Sequence, residues 1–196
     1  MLRSLSNLYL RLTGWRLVGE PPEHAHFVLI AAPHTSNWDL AFSLALAGSR
    51  GVRVHWLGKH TLFRGPLRPF MRAIGGIPIV RGQSQGFVEQ AADMFKRTDR
   101  LVLMVPAEGT RSKVEYWKSG FFRIAEAAQV PIVLGYLDFR AKVGGFGPVV
   151  SAGQGPRAAM DVVRAFYSDK VGLYPELFGN PRLRDEDADI DPGAGS

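Results

Sequence analysis

Short apolar runs alternate with amphipathic segments along most of this chain. Runs that are apolar throughout, or that alternate with period two, predict buried strands. Five runs fit that description: FVLIAA, VRVHWLG, GIPIV, LVLMVP and VPIVLGYLD. Segments in which apolar residues return every three or four positions predict helices. Four segments fit: NWDLAFSLALAG, QGFVEQAADMFKR, SGFFRIAEAAQ and GPRAAMDVVRAFYSD.

Two segments are less regular. LFRGPLRPFMRAIG is predicted to be a helical segment interrupted by proline, and KVGGFGP a glycine-rich turn. Strands separated by helices predict an α/β fold with a mainly parallel mixed sheet and helices on both faces. Such a sheet binds ligands outside the carboxyl ends of its strands. Polar residues that directly follow a strand are therefore the first candidates for a functional site.

The first nineteen residues contain no acidic side chain. Leu2, Leu5, Leu8, Leu12 and Trp15 recur at near-helical spacing, and three arginines flank them, so an amphipathic basic helix is predicted within residues 1–19. Two interpretations stay open. The helix covers the protein's own core, or it lies in the interface of a membrane.

Charge is unevenly spread over the 196 residues, which are enough for one domain. The last twelve residues hold five of the 18 acidic residues, so an acidic flexible tail is predicted over 185–196 and the folded domain over 20–184. The 24 basic residues face the other 13 acidic residues on 1–184, which leaves a formal charge of +11. Such a body attracts lipid headgroups, phosphorylated metabolites, acidic carrier proteins or nucleic acid.

The chain contains no cysteine, which excludes disulfides and thiol nucleophiles and weakly favours a reducing compartment. Its apolar runs fall short of the about 18 residues that a membrane-crossing helix needs. A peripheral protein on the cytoplasmic face of a membrane is therefore the predicted location.

HTSNWD follows the first predicted strand and contains His34 and Asp39. In one continuous helix these residues would point about 140° apart. They converge if His34 lies in a loop and Asp39 in the first helical turn, an arrangement that Pro33 and a cap at Ser36 or Asn37 favour. The aspartate would then fix the imidazole tautomer and leave Nε2 as a base. Ser36 lacks the glycine-flanked turn of serine hydrolases, and a buried structural histidine is the other interpretation.

Three more predicted strand ends carry polar groups. Lys59 follows VRVHWLG, Arg81 follows GGIPIV, and the block EGTR, residues 108–111, follows LVLMVP. Glycine permits close approach of a backbone, and hydroxyl, amide and guanidinium groups bind phosphate oxygens. We expect a base and several cations to share one edge of the sheet. A polar turn with Glu108 paired to Arg111, and two surface cations, is the alternative.

The ordered motifs resemble the glycerolipid acyltransferase family, which makes phosphatidic acid from 1-acylglycerol 3-phosphate. They are HTSNWD, GKHTLF, GGIPIVR, PAEGTRSK, WKSGFFRIA and VPIV, within residues 27–137. The family's H-x4-D pair falls on His34 and Asp39, which implies that His34 is the general base and Asp39 its orienting partner. The family's acceptor-binding blocks fall on Lys59, Gly76, Arg81, Glu108, Gly109, Thr110 and Arg111. Ala107, Val80 and Leu134 depart from the family's usual pattern.

The resemblance implies transfer of a fatty acyl group from acyl-CoA or acyl carrier protein to the hydroxyl of a lysophospholipid. It implies no metal or other cofactor beyond the acyl thioester as co-substrate. The predicted partners are the acceptor, the donor and an anionic membrane surface. A different acceptor, such as a lyso-aminolipid or a glycan, and a non-catalytic protein that binds lipid surfaces are the alternatives.

Two other classes of function compete with this interpretation. A metal hydrolase could use His24 and His26 with His34 and Asp39, but the prolines just upstream indicate a loop, so no metal site is predicted. A nucleic-acid-binding module is not predicted either, because the basic residues are spread along the chain without an RNA-binding or zinc-finger signature.

Overall fold

The computed structural model describes residues 2–79 and 86–188. Within those ranges the strands are β1 (Arg16–Val18), β2 (His26–Ala32), β3 (Val54–Lys59), β4 (Gly76–Ile79), β5 (Leu101–Val105), β6 (Ile132–Asp138) and β7 (Val143–Val150). They form one sheet in the order β1-β7-β6-β2-β5-β3-β4. Every neighbouring pair is parallel except β6 and β7, which are antiparallel.

Helices cover both faces of this sheet. They are α1 (Leu2–Thr13), α2 (Trp38–Ser49), α3 (Arg68–Ala73), α4 (Phe87–Lys96), α5 (Gly120–Ala128), α6 (Pro156–Tyr167) and the single-turn α7 (Asp185–Ala188). Helices α4, α5 and α6 pack on one face around Leu103 and Ile30. Helix α2 and residues 60–74 pack on the other face around Leu29 and Met104. The α/β fold with a mainly parallel mixed sheet, predicted from the alternating strands and helices, is confirmed.

Helix α1 lies on α2, on the same side of the sheet. Its Ser6 and Leu10 are buried, whereas Leu2, Leu5, Leu8 and Leu12 are 53–79% exposed. The helix therefore has one face that covers the protein's own core and a separate apolar face in solvent. None of the helices in the described ranges has the length and apolar composition to cross a membrane.

The N-terminal helix is shorter than the sequence predicts. It ends at Thr13, Gly14 turns the chain with a φ of 75°, and the chain then enters β1. Trp15, which the sequence pattern places on the amphipathic face, is buried and stacks on Phe42 with ring centroids 4.3 Å apart. The indole is withdrawn from the leucine face because it fills the space between α2 and the sheet edge.

The prediction of a glycine-rich turn at KVGGFGP is wrong for all but Lys142, because residues 143–148 belong to β7. The turn lies earlier, where Asp138 Oδ1 accepts hydrogen bonds from the amides of Arg140 and Ala141. Glycine at 145 permits the pairing of β7 with β1, since a Cβ there would lie 2.0 Å from the Val18 carbonyl oxygen. The glycines are thus a condition of close strand packing at this edge.

The predicted acidic tail starts at Asp185, and residues 185–188 form α7. The Glu186 side chain accepts from the Leu183 amide at 2.6 Å and pairs with Arg164 at 2.6 Å. These contacts join the beginning of the tail to α6. Residues 189–196 lie outside the described ranges.

Candidate active site

His34 lies in the loop that follows β2, and Asp39 lies in the first turn of α2. The imidazole Nδ1 is 3.2 Å from Asp39 Oδ2, and the same oxygen accepts from the amides of Thr35 and Ser36 at 2.8 Å each. The carboxylate is 2% exposed, so it is held by the loop rather than by solvent. The geometry predicted for this pair is present. Asn37 precedes the helix without capping it, and Ser36 Oγ accepts from the Trp38 amide instead.

Glu108 makes a second contact with the loop that carries His34. It follows β5 and the Pro106–Ala107 step, and its Oε1 accepts from the His34 amide at 2.7 Å. Its side chain is fully buried, and Oε2 has no hydrogen-bond partner within the described residues. Burial raises the pKa of Glu108 to about 8; the His34 amide opposes that rise and the charge of Asp39 adds to it. Glu108 thus positions the His34 backbone from inside the protein.

A cleft of about 410 Å³ opens beside His34, between α2 and the segment after β3. Its polar lining includes His34, Asn37, Lys59, Thr61 and Arg111. Its apolar lining comes from the strands and α2 and includes Leu40, Trp56, Leu57, Met104 and Pro106. This volume lies in the range of small-ligand sites. The cleft therefore combines an oriented imidazole, two cations and an apolar wall.

The predicted site residues divide into three groups. His34, Asp39, Lys59, Gly109, Thr110 and Arg111 all line the cleft. Glu108 and Gly76 are not part of that lining, and their contact with the acceptor stays a prediction. Gly76 is the first residue of β4 and pairs with Trp56 of β3, and a Cβ there would lie 2.8 Å from the Phe63 ring. Arg81 lies outside the described residues.

The order of these motifs matches a known protein family. The acyltransferase family model matches residues 16–134, which is more than half of the chain and includes both His34 and Glu108. The chain belongs to the acyltransferase family. No curated protein sequence matches it significantly.

A solved structure shows that this acyltransferase shares a known fold. It is similar to the crystal structure of the 1-acyl-sn-glycerophosphate acyltransferase PlsC from Thermotoga maritima, with a TM-score of 0.62. The two sequences are 16% identical, and the match covers 86% of this chain and 77% of the other. The likeness shows that the two proteins share a fold over more of this chain than the family model matches.

Several amides near the acyltransferase site are already engaged. The amides of residues 34, 35 and 36 donate to Glu108 or Asp39, and the Gly109 amide donates to the Pro106 carbonyl at 3.0 Å. None of these four is a free donor for a developing oxyanion. Asn37 is exposed and lines the cleft, whereas its sequence position predicts only a helix cap. Its position three residues after the base was the available signal.

The histidines considered for a metal site lie apart. His26 is the first residue of β2, at the edge of the sheet opposite His34, and its Nε2 is 2.7 Å from the Thr98 carbonyl. The upstream prolines predict a loop at His26, and this is wrong, because its pairing with Leu101 makes it the start of the strand. Over the two described ranges, no group of three or more histidine or acidic side chains is arranged to hold a metal ion.

Proposed function

We propose that this acyltransferase moves a fatty acyl group from a thioester donor to the hydroxyl of a lysophospholipid such as 1-acylglycerol 3-phosphate, with His34 as the general base. One observation carries the proposal. An imidazole oriented by a buried carboxylate lines the same cleft as two cationic side chains. The cleft thus offers a base for a hydroxyl and a binding place for a phosphate.

In the proposed reaction, Asp39 accepts from the Nδ1 hydrogen and leaves the Nε2 lone pair for the acceptor. Nε2 takes the hydroxyl proton as the oxygen attacks the thioester carbonyl, which forms a C–O bond and a tetrahedral oxyanion. The intermediate collapses, the C–S bond breaks, and the thiolate receives the proton from the imidazolium. The products are an ester and a thiol. These steps need no covalent acyl-enzyme and no reactant besides the acyl thioester.

The acceptor's phosphate would bind Arg111, in the loop after β5, and Lys59, the last residue of β3, which both line the cleft. A guanidinium can hold a phosphate through two parallel hydrogen bonds, whereas an ammonium acts as a point charge. Arg81 follows β4 in the sequence and is a further candidate by the family resemblance. The apolar wall at Leu40, Trp56 and Met104 would contact an acyl chain.

We place the enzyme at the cytoplasmic face of an anionic membrane, bound peripherally through α1. The exposed leucines of this helix and its lack of acidic residues support that placement. The donor is acyl-CoA or acyl carrier protein. Both are anionic, and the positive charge of residues 1–184 would attract either one.

The test is an assay in which a radiolabelled acyl thioester is offered with a panel of acceptors: 1-acylglycerol 3-phosphate, other lysophospholipids, lyso-aminolipids and glycerol phosphate. We expect the phosphate-bearing lysolipid to be preferred. We also expect Arg111→Ala to raise the KM for that acceptor by about tenfold or more, with little change in the KM for the donor. Lys113→Ala, a nearby cation outside the cleft lining, is the matched control. Preference for a lyso-aminolipid, or equal KM changes for both substrates, would contradict the proposed acceptor.

A further inference from the structure

A second apolar surface lies beside the mouth of the cleft, in the segment between β3 and β4. Leu62, Leu67 and Phe70 are 49%, 59% and 57% exposed. Three arginines alternate with them along the chain and are also exposed. We call these six residues the rim patch: Leu62, Arg64, Leu67, Arg68, Phe70 and Arg72.

The rim patch is presented by a packed segment. Phe63 is buried against Trp56, with ring centroids 5.9 Å apart. The Trp56 indole N–H donates to the Ile74 carbonyl at 3.1 Å, and Met71 also packs into this core. One side of the segment is therefore fixed on the sheet. Its other side leaves three large apolar side chains in solvent, which is unusual unless that side meets a partner.

The charge of this region favours an anionic partner. Residues 40–88 contain seven lysines and arginines and no acidic residue. Within the described ranges, no ion pair joins Arg64, Arg68 or Arg72 to a carboxylate. Their charges are available to a surface outside the protein.

The position of the rim patch favours a planar partner. Its segment packs on the same face of the sheet as α2, which in turn carries α1 and the exposed leucines. The cleft lies between α2 and this segment, and Leu62 belongs both to the patch and to the cleft lining. The elements that carry the two exposed apolar surfaces thus lie on the same side of the sheet, and the cleft opens between α2 and the rim patch.

We propose that the rim patch is a second membrane contact that inserts Leu67 and Phe70 among the lipids of an anionic bilayer while its arginines bind lipid phosphates. Apolar side chains interleaved with cations are typical of interfacial segments. The inference deepens the membrane attachment proposed above, which named α1 alone. Contact on both sides would hold the mouth of the cleft at the lipid surface, so that a lysolipid reaches His34 without crossing bulk water.

The experiment measures sedimentation of the full-length chain with vesicles of phosphatidylcholine, with and without phosphatidylglycerol. The variants are Leu67→Ser with Phe70→Ser, and Arg68→Glu with Arg72→Glu. None of these residues lines the cleft. We expect each pair to weaken binding to the anionic vesicles about tenfold or more, and turnover of a short-chain, water-soluble acceptor to stay unchanged. Val162→Ser and Arg157→Glu change exposed residues of α6, on the other face, and should bind as the wild type does.

Unchanged vesicle binding by both rim-patch pairs overturns the proposal. If binding to immobilised acyl carrier protein falls instead while vesicle binding persists, the patch is a carrier site and the proposal is likewise wrong. Variants of the α1 leucines separate the two membrane contacts. If they lose vesicle binding while the rim-patch variants keep it, α1 alone is the anchor. Turnover of the soluble acceptor tests the acyl-transfer reaction independently of either surface.

Discussion

At the scale of single residues, the site depends on two buried carboxylates with different tasks. Asp39 orients the imidazole of His34, and Glu108 holds the backbone of the same residue. Asp39 is five residues from His34 in the sequence, and Glu108 is 74 residues from it. The histidine is therefore fixed at both its ring and its amide.

Replacing His34 by alanine should lower kcat by about 10²- to 10⁴-fold, the usual contribution of a positioned base, with little change in either KM. Asp39→Asn should lower kcat as well, because a neutral amide does not stabilise the imidazolium. The measurement is steady-state acyl transfer with 1-acylglycerol 3-phosphate. His24→Ala, at an exposed loop position, is the control. Full activity of the His34 variant would exclude it as the base.

Glu108→Gln should change how stability depends on pH. The folded carboxyl keeps its proton up to a pKa of about 8, whereas an unfolded one ionises near 4.5. The wild type therefore loses stability as pH rises through this window, and the variant does not. Between roughly pH 6 and 8, we expect the free energy of unfolding of the wild type to fall by about 2 kcal/mol relative to that of the Gln variant, measured by urea unfolding.

The exposed carboxyl at Glu23 serves as a control for that comparison. Glu23→Gln should give a stability curve parallel to that of the wild type over the same pH range. A parallel curve for Glu108→Gln would show that the buried carboxyl is ionised in the folded protein.

Sequence alone predicted the short-range part of this site. The pairing of His34 with Asp39 follows from a loop, a helix start and five residues of spacing. The hydrogen bond from the His34 amide to Glu108 could not be predicted, since it depends on β2 and β5 being neighbours in the sheet. The family pattern assigns Glu108 to the acceptor, which stays a prediction, and in the structure its buried side chain accepts from the His34 amide. The catalytic role of His34 stays a prediction.

At the scale of elements, α1 has a buried face and a separate exposed apolar face. The periodicity of its sequence leaves these open as two alternatives. Ser6 and Leu10 face α2, and the leucines at 2, 5, 8 and 12 face solvent. A pattern of apolar positions shows that a helix has an apolar side, but it does not show whether protein or lipid will cover it. The interpretation that α1 covers the protein's own core holds for one side of the helix, and membrane contact through its exposed leucines stays a prediction.

Leu5→Ser combined with Leu12→Ser should weaken binding to anionic vesicles and leave the unfolding midpoint unchanged, because both side chains are in solvent. Leu10→Ala on the same helix should lower the unfolding midpoint and leave vesicle binding unchanged. It removes a buried side chain and should cost about 2–5 kcal/mol of folding free energy. Vesicle sedimentation and urea unfolding together separate the two outcomes. Wild-type vesicle binding by the double serine variant would contradict anchoring through α1.

Strand β7 shows why some elements escaped prediction. Glycine is rare in strands and frequent in turns, so a local pattern with three glycines favours a turn. In the folded chain, a Cβ at each of these glycines would meet a neighbouring element: α2 and β6 at Gly144, β1 at Gly145, and α6 and β6 at Gly147. These contacts come from other elements of the fold, so the local sequence pattern does not show them.

At the scale of the whole molecule, the sequence predicted the class of fold but not the strand order. Alternating strands and helices were enough for an α/β sheet. The order β1-β7-β6-β2-β5-β3-β4 places β2 between β5 and β6, and nothing local to these strands specifies that. This order brings the ends of β2, β3 and β5 together at the cleft.

The short connection between α1 and β1 would also limit how far the rest of the enzyme tilts relative to a membrane that binds α1. Only Gly14 and Trp15 separate the two elements, and Trp15 is wedged in the interior. A helix on a long tether would let the catalytic body tumble freely above the lipid, whereas this one carries the sheet with it. With α1 bound to a membrane as proposed, the body would keep a set inclination, and its search for an acceptor would become lateral diffusion in two dimensions.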